Sequence, residues 1–292
     1  MDVLPGEKRP PADGTRRLTG ARTPALAAYP RQVKKARAGE RPAFAARHNA
    51  AMTNEIRMVA FDGDDTLWRS QDFFDAAQVE FEQIVGGYVD LADARVSERL
   101  YAFEKTNLAW FGYGVKGMAL SMIEAAVEIT GQRVSAADVQ RIVGMAKDLL
   151  RHPVELLPGI RDAVADIAAR HDVVLITKGD LFHQEAKVRD SGMADLFRRI
   201  EIVSEKDPAT YARLLEEFEI DAAQFLMIGN SLRSDIAPVL SLGGWGVHMP
   251  YHTTWNHESQ ASVDAGSERM RSVGSPAELP AAVESIAAAA AA

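Results

Sequence analysis

The sequence has no cysteine, which excludes disulfides, thiolate catalysis and zinc–sulfur sites together and suits a reducing, cytoplasmic setting. No run approaches the ~18 unbroken apolar residues of a membrane helix, so no membrane partner is expected. The seven histidines never fall in an HxH or HExxH spacing, which argues against a histidine metal site. His183, His248, His252 and His257 therefore read as packed or loop side chains. No internal repeat is present. Basic charge is scarce beyond the N-terminus: residues 1–50 hold eleven Lys/Arg against four Asp/Glu within an overall net charge of −8. The remaining body is strongly acidic, which argues against nucleic acid as the main partner.

What is present is an ordinary globular composition, 47% apolar over 292 residues, enough for one large domain or two smaller ones. Residues 1–51 mix Pro, Gly, Ala and Arg without apolar periodicity and are expected to form a disordered basic extension. Asp2, Glu7, Asp13 and several prolines fit a transit peptide poorly. Met52 stands just before the first strand, where a start codon would, so a dispensable extension is expected.

The chain is organised around Ile56 to Trp68, IRMVAFDGDDTLW. Met58-Val59-Ala60-Phe61 is long enough for a buried strand and too short for a helix. Asp62, Asp64 and Asp65 then crowd into four positions, and such carboxylates raise one another's pKa unless a cation or shared proton relieves them. At the carboxyl end of a parallel strand they would open into the crevice where α/β sheets bind ligands.

Residues 71–151 read as about four helices from apolar residues at three and four, as in Phe74, Ala77, Phe81 and Ile84. Within them, Trp110 to Gly117 reads as a helix–helix turn with buried aromatics, and Lys116, flanked by glycines, as a loop cation able to approach an anionic substrate. After Pro158-Gly159 the chain alternates helix and strand, with strands at Val173–Ile176, Ile200–Val203 and Phe225–Ile228 and a possible fourth at Gly246–Met249. A last helix is expected over 276–288, the alanine run beyond it fraying. This alternation predicts an α/β fold with a doubly wound, mainly parallel, Rossmann-like sheet and short connections.

Each predicted strand end carries a chemical group: Asp62 and Asp64, then Thr177, then Lys206, then Asn230 and Asp235. In this order and spacing the four segments resemble the motifs of the haloacid dehalogenase superfamily over roughly residues 56–250. The resemblance implies a core of residues 52–70 and 157–292 and a helical cap of the family's first type over 71–156. It implies that Asp62 is a nucleophile forming an aspartyl-phosphate, that Asp64 is the general acid and base, and that Thr177 and Lys206 bind the phosphoryl group. Mg²⁺ would be held by the Asp62 carboxylate, the Asp64 main-chain carbonyl and the fourth motif.

That fourth motif departs from the family pattern, with Gly229-Asn230 in place of Gly-Asp and Asp235 following, so either Asn230 or Asp235 would complete the metal site. The expected activity is hydrolysis of a small phosphorylated metabolite. A haloacid dehalogenase, a phosphate-transferring mutase and a non-catalytic binding protein are the alternatives. Asp64 speaks against a dehalogenase, because a departing halide needs no proton whereas an alkoxide does. Lys178 and Arg233, with Lys116, are candidate cations for a small, strongly anionic substrate, unless they pair with acids such as Asp180 or Glu205. Oligomeric state is not legible.

Overall fold

The computed structural model describes residues 55–259, 263 and 266–291; the expected N-terminal extension lies outside them. Six parallel strands form one sheet: β1 (Met58–Phe61), β2 (Asp172–Lys178), β3 (Arg199–Val203), β4 (Phe225–Gly229), β5 (Trp245–His248) and β6 (Met270–Ser272). Their order is β3-β2-β1-β4-β5-β6. The chain therefore starts in the middle, winds outward through β2 and β3, then returns to the other side of β1. That reversal leaves a crevice at the carboxyl ends of β1 and β4, the position in open α/β sheets where ligands bind. Phe61 is in register with Leu175 of β2 and Ile228 of β4, and Asp62 N–H donates to Ile228 O at 2.9 Å. Asp62 is thus held level with the last turn of β4, beside Gly229-Asn230.

Both central strands are buried along their whole length, which is why they read as unbroken apolar runs rather than alternating ones.

Five helices make up the insertion over residues 71–151, where about four were expected: α1 (Gln71–Gly86), the single turn α2 (Leu91–Ala94), α3 (Val96–Phe111), α4 (Val115–Ile129) and α5 (Ala136–Arg151). They enclose an apolar core of their own that includes Phe81, Leu100, Met122 and Ile142, separate from the core around the sheet. Burying side chains of this size contributes roughly 1.5–3 kcal/mol each, so the insertion has a source of hydrophobic stabilisation separate from the sheet's. Its two connections run side by side: Arg69 N–H donates to Glu155 O and Leu157 N–H to Leu67 O, both at 2.9 Å.

The remaining helices are α6 (Ile160–Ala168), α7 (Leu181–Asp190), α8 (Pro208–Phe218), α9 (Ala237–Ser241) and α10 (Leu279–Ala291). Asp180 caps α7 by accepting from His183 N–H at 3.0 Å, and Asp207 caps α8 by accepting from Thr210 N–H at 2.7 Å, with Pro208 at the first helical position. These caps start each helix one or two residues beyond a strand-end motif.

Three expectations need correction. Lys116 is not in a loop: α3 ends at Phe111, Gly112 and Gly114 turn the chain at positive φ, and Lys116 lies in the first turn of α4. The aromatics there are not buried, since Trp110 is 79% and Phe111 48% exposed. Nor does the alanine run fray before Ala291, because alanine has the highest intrinsic helix propensity.

Candidate active site

All six strand-end groups line one cavity between the sheet's carboxyl edge and the insertion. At its floor, Lys206 is almost fully buried and bridges two carboxylates, Nζ lying 2.5 Å from Asp62 Oδ1 and 2.7 Å from Asp235 Oδ1. One cation between two buried anions leaves negative charge in excess. Burial pushes the Asp62 carboxyl up to about 7, with Lys206 opposing and the Asp235 charge adding to the rise.

Asp235 is delivered by a π-helical turn, Leu232–Ile236, and its Oδ2 accepts from Ser231 N–H at 3.0 Å. π-Turns of this kind recur at functional sites. Gly229 is required beneath it, because a Cβ there would fall 2.2 Å from Asp235 Oδ2.

Asp64 is held by partners that the linear sequence does not reveal. Trp68 Nε1–H donates to Oδ1 at 2.6 Å, Lys187 Nζ to Oδ1 at 2.7 Å and Gln184 Nε2–H to Oδ2 at 3.0 Å. Burial alone would raise this carboxyl, but the Lys187 ammonium, aided by Trp68 and Gln184, holds it below the usual carboxylate range. The two aspartates are therefore in opposite electrostatic environments. Gly63 between them lets the strands' ends close up, since a Cβ would meet Trp68 Cζ2 at 2.9 Å and Thr177 Oγ1 at 3.0 Å. Asp65 takes a third role. Its φ of +61° turns the chain, and its Oδ1 accepts from Ser70 and Gln71 N–H at 2.9 and 3.0 Å, tying the motif to the start of α1.

Thr177 is buried with its hydroxyl 3.2 Å from Gln184 Nε2. Gln184 thus joins the second motif to Asp64, while its own Oε1 is buried without a hydrogen-bond partner. Thr66 joins the first motif to the fourth, its Oγ1 lying 3.3 Å from Asp62 Oδ2 and accepting from Asn230 N–H at 3.1 Å.

The Asn230 amide bears on metal binding. Its oxygen lies 3.2 Å from Asp62 Oδ2 and 3.3 Å from the Asp64 carbonyl, both acceptors, and exchanging its oxygen and nitrogen would create hydrogen bonds to each. Without a cation the nitrogen belongs there. With one, the Asn230 oxygen lies from each of the other two at close to the ~3 Å that separates adjacent ligands around a Mg²⁺ with 2.0–2.1 Å bonds. A carboxylate, a main-chain carbonyl and a carboxamide form a hard, oxygen-only donor set that fits Mg²⁺ or Ca²⁺ and not a thiophilic metal. Among the described residues no group of three or more His, Cys, Asp or Glu could hold a metal, which is consistent with a set containing one carboxylate side chain. Asp235, whose oxygens face Lys206 and Ser231 N–H, is engaged elsewhere.

The three other candidate cations divide. Lys178 lines the cavity, but its Nζ lies 2.5 Å from Glu258 Oε1, 2.8 Å from Ser234 Oγ and 4.2 Å from the centre of the Tyr113 ring. Arg233 donates to His257 O at 2.5 Å, and Lys116 pairs with Asp180 at 2.8 Å. Neither lines the cavity. Lys116 instead straps α4 to the start of α7, and Tyr113, just before α4, ties the insertion to the loop after β3 by donating to Glu205 Oε2 at 2.6 Å.

Sequence reading missed Gln184 and Lys187, three positions apart on α7, and Trp68, whose indole role is invisible until the chain turns back on Asp64. Their one signal was position: helix residues directly following the second motif.

The profile of the haloacid dehalogenase-like hydrolase family matches residues 56–243. No functionally curated protein matches the chain. Among solved structures, a haloacid dehalogenase-like family hydrolase from Xanthomonas campestris is 53% identical, covering 81% of this chain and 94% of that one with a TM-score of 0.73. A 2-haloacid dehalogenase from Pseudomonas syringae pv. Tomato is 19% identical, with 78% and 98% covered and a TM-score of 0.52. The HAD-hydrolase YfnB from Bacillus subtilis, crystallised bound to magnesium, is 18% identical, with 77% and 97% covered and a TM-score of 0.53. The last two show likeness of fold alone. With the family profile spanning more than half its length, the chain belongs to the haloacid dehalogenase-like hydrolases.

Proposed function

We propose that this hydrolase is a Mg²⁺-dependent phosphomonoesterase working through an aspartyl-phosphate on Asp62. The observation that carries the reading is the second carboxylate: Asp64 opens on the same cavity as Asp62. Phosphate esters resist attack because their anionic oxygens repel nucleophiles, so charge neutralisation, in-line positioning and a proton for the leaving oxygen are all needed. An Asp62 oxygen attacks phosphorus, the bond from phosphorus to the leaving oxygen breaks, and Asp64 gives that oxygen its proton. Asp64 then takes a proton from water as the water attacks phosphorus, releasing inorganic phosphate and restoring the Asp62 carboxylate.

Thr177 would donate to the phosphoryl oxygens and Lys206 would offset charge on both phosphoryl group and nucleophile. Asp62, the Asp64 carbonyl and Asn230 Oδ1 would hold the Mg²⁺, which when bound supplies further charge neutralisation. In the ligand-free arrangement Asp64 is ionised on Lys187. A phosphate dianion entering beside it would raise its pKa and favour uptake of the proton it must deliver.

Asp64→Asn is expected to lose about 10²–10⁴ in turnover, the usual contribution of a general acid–base group, while still binding metal, because ligation there uses the main chain. A variant within tenfold of the parent would remove Asp64 from the reaction. Metal binding has its own readout. Mg²⁺ at about 100 times its Kd should stabilise the protein by about 2.7 kcal/mol, seen as a rise in Tm, and Asn230→Ala should shrink that rise at fixed Mg²⁺. An equal rise in both proteins would move the ligand elsewhere.

A dehalogenase reading draws support from Asn230, which adds no charge toward a metal. It leaves Asp64 without a task, since halide departs unprotonated.

A further inference from the structure

Cavity walls carry information about the leaving group, because the strand-end residues address only the phosphoryl group that all substrates of such a site share. Eight carboxylates line the cavity against three lysines, and each lysine already faces a carboxylate. Lys206 is held by Asp62 and Asp235, Lys187 by Asp64, and Lys178 by Glu258. The insertion contributes no Lys, Arg or His to the lining among the described residues. It contributes Asp75 and Glu104 instead, and burial pushes the Glu104 carboxyl up to about 7 with only the Trp255 indole N–H opposing.

The carboxamides of the lining point the same way. Gln71 directs its amide nitrogen to Asp75 Oδ1 at 2.8 Å, Gln78 to Glu82 Oε1 at 3.2 Å, and Asn107 to Ser121 Oγ and Glu124 Oε2 at 3.1 and 2.7 Å. Gln184 directs its nitrogen to Asp64, Thr177 and the Lys178 carbonyl, and its buried Oε1 has no partner. In these four residues a protein acceptor takes the amide nitrogen, so none of them directs an unengaged amide nitrogen at a second anion. A lining with more carboxylates than cations, to which the insertion adds acids and no base, suits a ligand that brings donors or positive charge and disfavours a second anion.

We propose that the leaving group carries no second negative charge and is rich in hydrogen-bond donors, an amino alcohol or a polyol, with Glu104 as the specificity-determining residue. This rests on the phosphomonoesterase reading of the same site, and it replaces the strongly anionic substrate suggested by Lys116, Lys178 and Arg233, since Lys116 and Arg233 do not reach the lining and Lys178 is paired with Glu258. Buried acceptors left unpaired by the wrong ligand are what make such a wall selective.

The test compares kcat/KM, with Mg²⁺ present, for four small esters: O-phosphoethanolamine, glycerol 3-phosphate, 3-phosphoglycerate and p-nitrophenyl phosphate. Either of the first two is expected to exceed 3-phosphoglycerate by about tenfold or more, the discrimination that a buried polar contact provides. Glu104→Gln should narrow that ratio, more for the amine than for the polyol if the ammonium is what Glu104 reads. Glu104→Lys should invert it in favour of the carboxylate ester. The isosteric Gln variant keeps the test readable if the Lys variant fails to fold. Turnover of the aryl ester with 3-phosphoglycerate equal or preferred, or a ratio unmoved by Glu104→Gln, overturns the proposal alone. Failure of all four esters overturns the phosphomonoesterase reading and the proposal with it.

Discussion

Asp62→Asn is expected to give a folded protein whose turnover is lower by about 10⁴-fold or more, the scale on which removing a covalent nucleophile acts. A carboxamide keeps the shape of the side chain but has neither the charge nor the nucleophilicity to attack phosphorus. The fold should survive because Lys206 retains Asp235 at 2.7 Å and Thr66 still has Asn230 N–H at 3.1 Å. Acid quench of the parent protein during turnover of a labelled phosphate ester should trap label on the peptide containing Asp62, and the variant should trap none. Label retained at that position in Asp62→Asn would refute the nucleophile assignment.

Lys206→Met should produce the second large effect, this time on stability. The lysine side chain is 1% exposed and holds two carboxylates, Asp62 and Asp235. Methionine fills much the same volume but leaves both anions buried without a cation. Removing one partner of a buried ion pair costs about 3–5 kcal/mol, against a total stability of about 5–15 kcal/mol for a typical protein. Urea unfolding should show the loss, with turnover falling as well. Double substitution, Lys206→Met with Asp235→Asn, should recover part of the stability and none of the activity. A loss below about 1 kcal/mol in the single variant would mean that the triad is not the keystone of the floor.

The sheet was legible because β1 and β4 are buried on both faces and so appear as apolar runs ending abruptly in polar motifs. β6 was not, since Met270-Arg271-Ser272 is a three-residue edge strand of intermediate to exposed residues without such a run. Every strand-end group could be assigned to one edge because parallel pairing places all carboxyl ends together, and the cavity does contain all six. The neighbours that tune them were out of reach. Lys187 meets Asp64 across 123 positions and Gln184 meets it across 120, contacts fixed by how α7 packs rather than by any local pattern.

Lys116 shows the opposite failure. Its flanking glycines imitate a flexible loop, yet Gly117 is there because a Cβ would come within 2.6 Å of Gly112 O, a packing requirement inside a helix start. The electrostatic character of the cavity was hidden for a related reason. Lysines are visible in a sequence, and pairing with nearby acids such as Asp180 was foreseeable for them, whereas the pairing of Lys178 with Glu258 and of Lys187 with Asp64 is visible only in three dimensions.

A phosphomonoesterase and a dehalogenase on this site differ in the bond that is broken. Inorganic phosphate release from p-nitrophenyl phosphate and chloride release from 2-chloropropionate should be measured side by side, each with Mg²⁺ and with a chelator. Phosphate release that requires Mg²⁺, with no chloride released, is the expected result; chloride release indifferent to the chelator, with no phosphate, would contradict it.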